Sequence, residues 1–275
     1  MGTRAAQAKT GADFAQSEGL PALGNQAVLL TVAGFDPSSG AGITADLQTF
    51  WNHGFAGVSA ITALTVQSAQ GVAAVERVRS DLLGRTLDSL AAGPPLAGVK
   101  IGMLANAEIV GEVAGFLRRA GIDRARVVLD PVLRSSSGAE LLVEPAVENL
   151  RTDLLPLVGW VTPNVDELGA LTGQPVPGRN AVPGQARVLW ERANGLSVVV
   201  TGGHLDPPDD YLLDSDGRET WFPGRRVQAR GIHGEHGTGC VFSSALLCRL
   251  ALGDGPADAV RAAKAWVLKR LDPWA

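Results

Sequence analysis

The sequence is poor in cysteine and contains no hydrophobic run of membrane-spanning length, and both shortages narrow its possible classes. Its 275 residues include two cysteines, Cys240 and Cys248. In one predicted helix these residues lie about 12 Å apart along the axis, too far for a disulfide. We therefore expect two free thiols and a reducing compartment. No segment reaches the roughly 20 apolar residues that a transmembrane helix needs.

Several signatures of nucleotide and metal sites are also missing. No G-x-x-x-x-G-K-[ST] segment occurs, which excludes a P-loop. There is no HExxH or paired CxxC, and the four histidines are scattered, so no dedicated zinc site is expected. GAGITA (40–45) matches the dinucleotide fingerprint, but PSSG separates it from the predicted strand. The acidic residue expected about 20 positions further on is also missing, because residues 55–75 contain no Asp or Glu. A nicotinamide oxidoreductase is therefore a distant alternative.

The composition is typical of a soluble globular protein. The net charge is −4 and 45% of the residues are hydrophobic, so there is no basic footprint for nucleic acid or an anionic membrane. The first 26 residues are polar and lack the apolar segment of a signal peptide. We expect residues 1–26 to form a flexible extension, residues 27–275 to form a single domain, and the protein to be cytoplasmic.

Short aliphatic runs alternate with amphipathic helical patterns along the chain. The runs are continuous in hydrophobicity, as in strands that are buried on both faces. This alternation predicts a mostly parallel sheet with helices on both sides. DDYLLDSDGRETWF (209–222) instead predicts an antiparallel hairpin at a sheet edge. The predicted strands are 27–33, 57–62, 97–102, 126–130, 159–162 and 197–201, and the helices are 41–53, 80–92, 106–120, 144–153, 181–195 and 255–270.

Polar residues follow several of these strands, where ligands bind in open α/β sheets. Asn164 and Glu167 are candidates for holding a nucleotide and magnesium-bound water. Asp130 is a second carboxylate that could face the metal. Thr201 and Gly203 offer a hydroxyl group and open backbone to a phosphate donor. Taken singly, each is also a common cap or turn residue.

The segment HGTGC (236–240) precedes a predicted helix and gives the sharpest chemical signal. Backbone N–H groups at a helix start have no partners within the helix, and the helix dipole favours an anion there. Gly237, Thr238, Gly239 and Cys240 are therefore predicted to hold a transferring phosphoryl group. The same field predicts a lowered pKa for Cys240, which would let it accept a proton. The alternative is a small buried cysteine beside a glycine-rich cap.

Seven segments in register resemble one family across residues 28–270. The chain resembles the hydroxymethylpyrimidine and phosphomethylpyrimidine kinases of thiamine biosynthesis. The resemblance implies a ribokinase-like three-layer α/β/α sandwich, the use of ATP and Mg²⁺, phosphorylation of 4-amino-5-hydroxymethyl-2-methylpyrimidine and then its monophosphate, and a homodimer. The segments are AGFDPSSGAGITADLQTF, ITALTVQ, KIGML, VVLDPV, VTPNVDEL, GGHL and HGTGC.

The resemblance also implies roles for individual residues. Asp46 and Gln67 would contact the pyrimidine edge, and an amide such as Gln67 offers both a donor and an acceptor. Residues 237–240 would form the anion hole, with Cys240 as the base for the hydroxymethyl proton. The pocket around the pyrimidine would be shaped by Gly34, Ala41, Thr65, Met103 and Val132.

Three positions depart from the family pattern. Ser39 replaces a glycine and stiffens the substrate loop, while Ser136 and Thr201 replace lysines expected near the phosphates. Arg134 could supply charge in their place. The missing lysines leave a non-catalytic pyrimidine-binding paralogue as one alternative. A pyridoxal or pyridoxine kinase, which shares the fold and the cysteine, is the other.

Overall fold

A computed structural model describes residues 26–68, 71–135, 138–229, 234 and 236–272. The predicted N-terminal extension, apart from Gln26, lies outside the described residues, and so does Ser136.

The described residues form one nine-stranded mixed sheet. Its order is β3-β2-β1-β4-β5-β6-β7-β8-β9, and neighbouring strands from β2 through β7 are parallel. The predicted edge hairpin is confirmed, since β8 pairs antiparallel with both β7 and β9. The strands are β1 (Val28–Phe35), β2 (Ala56–Ser68), β3 (Gly71–Arg77), β4 (Leu96–Ile101), β5 (Val127–Leu129), β6 (Trp160–Val161), β7 (Ser197–Val200), β8 (Asp210–Leu213) and β9 (Glu219–Phe222).

Helices cover both faces of the sheet, as the continuous hydrophobicity of the strands predicts. Because side chains alternate along a strand, Leu29 packs in one core cluster and Leu30 in the other. The Leu29 side carries α1 (Gly42–Asn52), α7 (Thr238–Ala251) and α8 (Pro256–Leu271). The Leu30 side carries α2 (Ser80–Ala91), α3 (Ala107–Ala120), α4 (Ala146–Asn149), α5 (Val165–Thr172) and α6 (Val182–Arg192). The predicted three-layer α/β/α sandwich is confirmed.

Strand β2 is longer than the sequence pattern predicts. The pattern ends the strand at residue 62, whereas β2 continues to Ser68 and pairs antiparallel with β3. Thr65 and Gln67 therefore lie on an extended strand and not in a loop. Pairing with β3 supplies the hydrogen bonds that hold this polar half of the strand extended, and that pairing is a tertiary event.

Two helices also differ from their predicted bounds. The predicted helix 144–153 is regular only over Ala146–Asn149 and continues as a π turn (Leu150–Leu154) and a 3-10 turn (Leu155–Leu157). The segment after β6, interpreted as a loop, begins helix α5 at Val165. No helix of the described residues is long and apolar enough to cross a membrane.

Candidate active site

A large cavity of about 1570 Å³ opens at the carboxyl ends of the parallel strands. This is where the topology of an open α/β sheet places a ligand. Every candidate residue of the sequence analysis lines this cavity except Asp46. The lining candidates are Gly34, Ala41, Thr65, Gln67, Met103, Asp130, Val132, Asn164, Glu167, Thr201, Gly203, Gly237, Thr238, Gly239 and Cys240.

Asp36 organises the loop between β1 and α1, which we call the substrate loop (residues 36–42). Its carboxylate accepts hydrogen bonds from Ser38 N at 2.8 Å and from Ala41 N at 2.9 Å, and lies 2.9 Å from His236 Nε2. Burial alone would raise the pKa of Asp36, but the hydrogen bonds from Ser38, His236 and Ala41 hold it below its usual range. Sequence reasoning missed Asp36, although an acidic residue directly after a buried strand was a usable signal.

The substrate loop is tight at two positions with left-handed backbone. Gly42 has φ 60°, and a Cβ atom there would lie 2.2 Å from the carbonyl oxygen of Gly34, so only glycine fits. Ser39 also has φ 60°, in the region that glycine adopts most readily. The serine at the family's glycine position is thus held in a conformation that disfavours side chains, which agrees with a stiffer loop.

Several of the residues predicted to contact or enclose the pyrimidine lie on β1, β2 and the segment after β4, and we call this part of the cavity the aromatic pocket. Thr65 and Gln67 line the cavity because they alternate with exposed residues on β2, and Thr65 Oγ1 donates to Phe35 O at 2.9 Å. Met103 forms one wall, since a Cβ atom on Gly34 would lie 3.0 Å from its sulfur. The Gln67 amide contacts His236 Nε2 at 2.8 Å, so it already has a polar neighbour across the cavity.

The start of α7 offers free backbone donors to the same cavity. Gly237 precedes the helix with φ 75°, and the first helical bond runs from Val241 N to Gly237 O at 3.0 Å. Within the described part of the chain, no protein acceptor is hydrogen-bonded to the N–H groups of residues 237–240. These donors are the unsatisfied amides of a helix N-terminus, where the dipole favours an anion. We call residues 237–240 the anion hole.

The environment of Cys240 corrects one expectation. Its surroundings include the Lys100 ammonium and the Asp130 and Asp46 carboxylates, all of which act on its pKa. Burial raises the pKa of the Cys240 thiol to about 12, although the Lys100 ammonium acts in the opposite direction. The expected lowering of this pKa is wrong here, because burial and the Asp130 and Asp46 carboxylates together outweigh the Lys100 ammonium.

Asp46 is the one candidate that the structure places outside the cavity. It is fully buried on α1, where Oδ2 accepts from Thr31 Oγ1 at 2.6 Å and Lys100 Nζ at 3.0 Å. Its other oxygen accepts from Ser244 Oγ at 2.8 Å. Both carboxylate oxygens are therefore occupied, and the expected contact of Asp46 with the pyrimidine edge is corrected to a structural role. A charged residue on a buried helix face gives no sequence signal that separates these roles.

Asp130 and Glu167 provide carboxylates that suit a magnesium ion. Burial raises the pKa of Glu167 to about 8, and the nearby Asp130 carboxylate adds to the rise. Burial also raises the pKa of Asp130. A divalent cation would relieve this crowding of buried acids, and hard oxygen donors are the ligands that Mg²⁺ prefers. The described residues contain no group of three metal-binding side chains, so phosphate and water oxygens would complete the shell.

The predicted nucleotide residues lie side by side at the ends of β6 and β7. Asn164 and Thr201 form an isolated parallel bridge. Asn164 also caps α5, because its Oδ1 accepts from Glu167 N at 2.9 Å. In the same capping box, Asn164 N donates to Glu167 Oε2. Both are therefore helix-capping residues, and their amide and carboxylate still line the cavity.

Arginines line the cavity, among them Arg134 and Arg226. Arg226 donates to Leu205 O at 3.0 Å and to Gly203 O at 3.4 Å, which brings its charge beside the glycine turn. Arg134, expected to supply charge, also lines the cavity, with Glu140 3.3 Å away. The sequence analysis missed Arg226. Its contacts are with Gly203 and Leu205, more than 20 residues earlier in the chain, and no local pattern predicts them.

Free backbone donors and carboxylates that line one open cavity suit the transfer of a phosphoryl group, which places the chain among the small-molecule phosphotransferases. Comparison with known proteins makes this assignment more specific. Residues 36–273 match the sequence family described as phosphomethylpyrimidine kinase, and the chain belongs to that family.

Individual relatives and solved structures agree with this membership. The chain is 39% identical over 243 residues to the hydroxymethylpyrimidine/phosphomethylpyrimidine kinase of Rhizobium meliloti (strain 1021), covering 88% of this chain and 89% of the relative. It is similar to phosphomethylpyrimidine kinase from Clostridium difficile 630, with TM-score 0.77, 33% identity, and coverage of 89% and 99%. Pyridoxal kinase from Staphylococcus aureus, solved with AMP-PCP and pyridoxal, has TM-score 0.76, 28% identity, and coverage of 90% and 88%. The ribokinase-like fold is confirmed.

The raised pKa of Cys240 predicts slow alkylation. Without nucleotide or divalent cation, we expect the rate with iodoacetamide to be low at pH 7 and still rising at pH 10, because the neutral thiol persists below its pKa of about 12. Peptide mass spectrometry would follow Cys240 separately from Cys248, with glutathione as the reference thiol. A rate that levels off below about pH 8.5, the usual thiol range, would contradict the burial argument.

Proposed function

We propose that this protein transfers the terminal phosphoryl group of ATP to 4-amino-5-hydroxymethyl-2-methylpyrimidine and then to its monophosphate, in thiamine biosynthesis. The observation that carries the proposal is the anion hole, whose amides face a cavity that also holds an aromatic pocket and two carboxylates. The names of the relatives support this substrate class. An ATP analogue in a structurally similar kinase supports the phosphate donor.

The aromatic pocket would orient the pyrimidine toward the anion hole. Gln67 offers a donor and an acceptor to the ring edge and would exchange its contact with His236 for the substrate. Thr65 and Met103 would bound the ring, which would direct its hydroxymethyl group toward Cys240. Holding the alcohol in this way removes much of the entropic cost of bringing two reactants together.

The amides of residues 237–240 would stabilise the charge that develops on the transferring group. Asp130 and Glu167 would hold Mg²⁺, which when bound would neutralise negative charge on the phosphate oxygens. Asn164, Thr201 and Gly203 would hold the nucleotide, with the Arg226 charge beside them. In this arrangement Cys240 would first lose its own proton to solvent in the open cavity, and its thiolate would then accept the proton of the hydroxymethyl group.

A pyridoxal kinase is the second candidate, and the similarity to the Staphylococcus aureus enzyme supports it. The pocket contacts at Gln67 and Thr65 are polar enough to serve either ring. The higher identity to hydroxymethylpyrimidine/phosphomethylpyrimidine kinases favours the pyrimidine. A pyrimidine-binding paralogue without catalysis is the third candidate, and it would leave the carboxylates and the anion hole without a use.

An assay with both acceptors separates these candidates. Purified protein with MgATP should phosphorylate the hydroxymethylpyrimidine with a higher kcat/KM than pyridoxal, and mass spectrometry should detect the mono- and diphosphate products. Preferential phosphorylation of pyridoxal would favour the second candidate. Binding of the pyrimidine without any ATP turnover would favour the third.

The role of Cys240 predicts a loss of turnover on substitution. We expect Cys240→Ala to lower kcat by roughly 10²- to 10⁴-fold, because the alcohol loses its proton acceptor. Cys248→Ala is the matched control, since Cys248 lies on the same helix but is fully buried and outside the cavity. Near-normal turnover of Cys240→Ala, with unchanged thermal stability, would show that the backbone amides suffice.

We also propose that the protein is a homodimer through the outer face of β2. Leu64 and Val66 are 47% and 64% exposed, and they point away from Thr65 and Gln67 because strand side chains alternate. Two large apolar residues together on one strand face favour a self-association surface. The same strand would then serve the substrate pocket on its inner face. A cytoplasmic location stays a prediction, which the two free cysteines support.

Substitution on this face should dissociate the dimer. We expect Val66→Lys to raise the dimer dissociation constant by at least about 100-fold, the effect of burying an unpaired charge at an interface. Size-exclusion chromatography with light scattering over a range of concentrations would measure it. Leu252→Lys is the control, because Leu252 is also exposed (54%) but lies beyond α7. A wild-type monomer at every concentration would refute the dimer.

A further inference from the structure

Arg270, near the end of α8, contacts the backbone of two segments that form the candidate active site. Its Nη2 donates to Gly40 O at 2.8 Å, and its Nη1 donates to Gly237 O at 3.4 Å. Gly40 belongs to the substrate loop, and Gly237 is the first residue of the anion hole. One guanidinium group therefore holds both segments.

The two segments touch each other directly at these carbonyl groups. A Cβ atom on Gly237 would lie 2.0 Å from Gly40 O and 2.9 Å from Ala41 Cα, so the backbones meet with no side chain between them. No backbone-to-backbone hydrogen bond joins them within the described residues. A polar contact also joins the two regions at His236, the residue before the anion hole, whose Nε2 lies 2.9 Å from Asp36 Oδ2. Gly237 O already accepts from Val241 N, whereas Gly40 O has no donor other than Arg270 among the described residues.

Arg270 lies outside the large cavity of the candidate active site. It lines a smaller cavity of about 270 Å³ between α1, α7 and α8. Among the described residues, no carboxylate lies within ion-pair distance of Arg270. Its partners are the two carbonyl oxygens, and an arginine stays charged in this setting. The contact is thus specific to the backbone and is not an ion pair that happens to lie nearby.

The helix that carries Arg270 is itself firmly placed. Ala259, Val260 and Ala263 of α8 are buried in the same core cluster as α7. Lys264 Nζ donates to Asp210 Oδ2 at 2.8 Å, and Trp266 packs edge-on against His53 with ring centroids 4.5 Å apart. The position of the guanidinium group is therefore set by the fold before any ligand binds.

We infer that Arg270 is a positioning residue that fixes the substrate loop against the anion hole, and so sets the distance between the acceptor alcohol and the transferring phosphoryl group. The inference rests on the proposed kinase function. Because the guanidinium fork donates to two carbonyl oxygens at once, a lysine, which is a single point charge, could not replace it. Loss of Arg270 would leave the buried Gly40 carbonyl without its donor and let the two backbones separate.

Steady-state kinetics provide the first test. We expect Arg270→Ala to lower kcat with the hydroxymethylpyrimidine by about 10- to 100-fold, the range for losing hydrogen bonds from a charged donor. The KM for ATP should stay within about twofold, because the nucleotide residues do not contact Arg270. Arg270→Lys should recover only a small part of the loss. Full recovery by lysine would show that charge alone matters and would overturn the inference.

Chemical rescue separates positioning from simple anchoring of the helix. Millimolar guanidinium should partly restore kcat of Arg270→Ala, whereas ammonium should not. Arg261→Ala is the matched control, because Arg261 is an exposed arginine of the same helix that pairs with Asp258. If Arg270→Ala keeps normal kcat, or if kcat, ATP affinity and melting temperature all fall together without rescue, Arg270 is not a positioning residue.

Amide hydrogen exchange tests, without any activity measurement, whether Arg270 holds the substrate loop and the anion hole in place. Ala41 N donates to Asp36 Oδ2, and Val241 N donates to Gly237 O, so each amide reports on one of the two segments. Both should exchange faster in Arg270→Ala than in the wild type, and neither should change in Arg261→Ala. Unchanged exchange would overturn the inference. An inactive wild type that still shows this pattern would refute the kinase function and keep the positioning role.

Discussion

The candidate site depends on a close approach of two backbones, those of the substrate loop and of the start of α7. At Gly237 any side chain would overlap the Gly40 carbonyl, so the approach requires glycine on the α7 side. The approach brings the loop that follows β1 to the helix whose free amides face the cavity. An alcohol held by the first and a phosphate held by the second then meet, as an in-line transfer requires.

Buried charge on the inner side of α1 and α7 supports this arrangement. Lys100 and Asp46 are both fully buried and 3.0 Å apart, and Asp130 lies 4.0 Å from the same ammonium. Breaking a buried pair leaves an uncompensated charge and costs far more than an exposed pair does. The network therefore fixes the register of α1, β4 and α7 relative to one another. The same network surrounds Cys240, and its carboxylates oppose formation of a thiolate.

Strand β2 shows how one element can serve two surfaces. Its inner face carries Thr65 and Gln67 into the cavity, and its outer face carries exposed Leu64 and Val66. The alternation of side chains makes these assignments inseparable, since a shift of one residue would exchange the two faces. Pairing with β3 holds the register. A self-association surface on the outer face would thus stabilise the same strand that bounds the aromatic pocket.

The sequence alone determined most of the strands and helices, the edge hairpin and the glycine-rich start of α7, because periodicity and turn chemistry are local. It missed β3 and α5. Almost all of the candidate site residues that it identified, through strand ends and the resemblance of seven segments to one family, line the cavity. Only the tertiary structure decided that Asp46 is a buried partner of Lys100, that the pKa of Cys240 rises, and that Arg270 reaches Gly40 and Gly237. These outcomes depend on burial and on contacts between residues far apart in the chain, and no local pattern encodes either quantity.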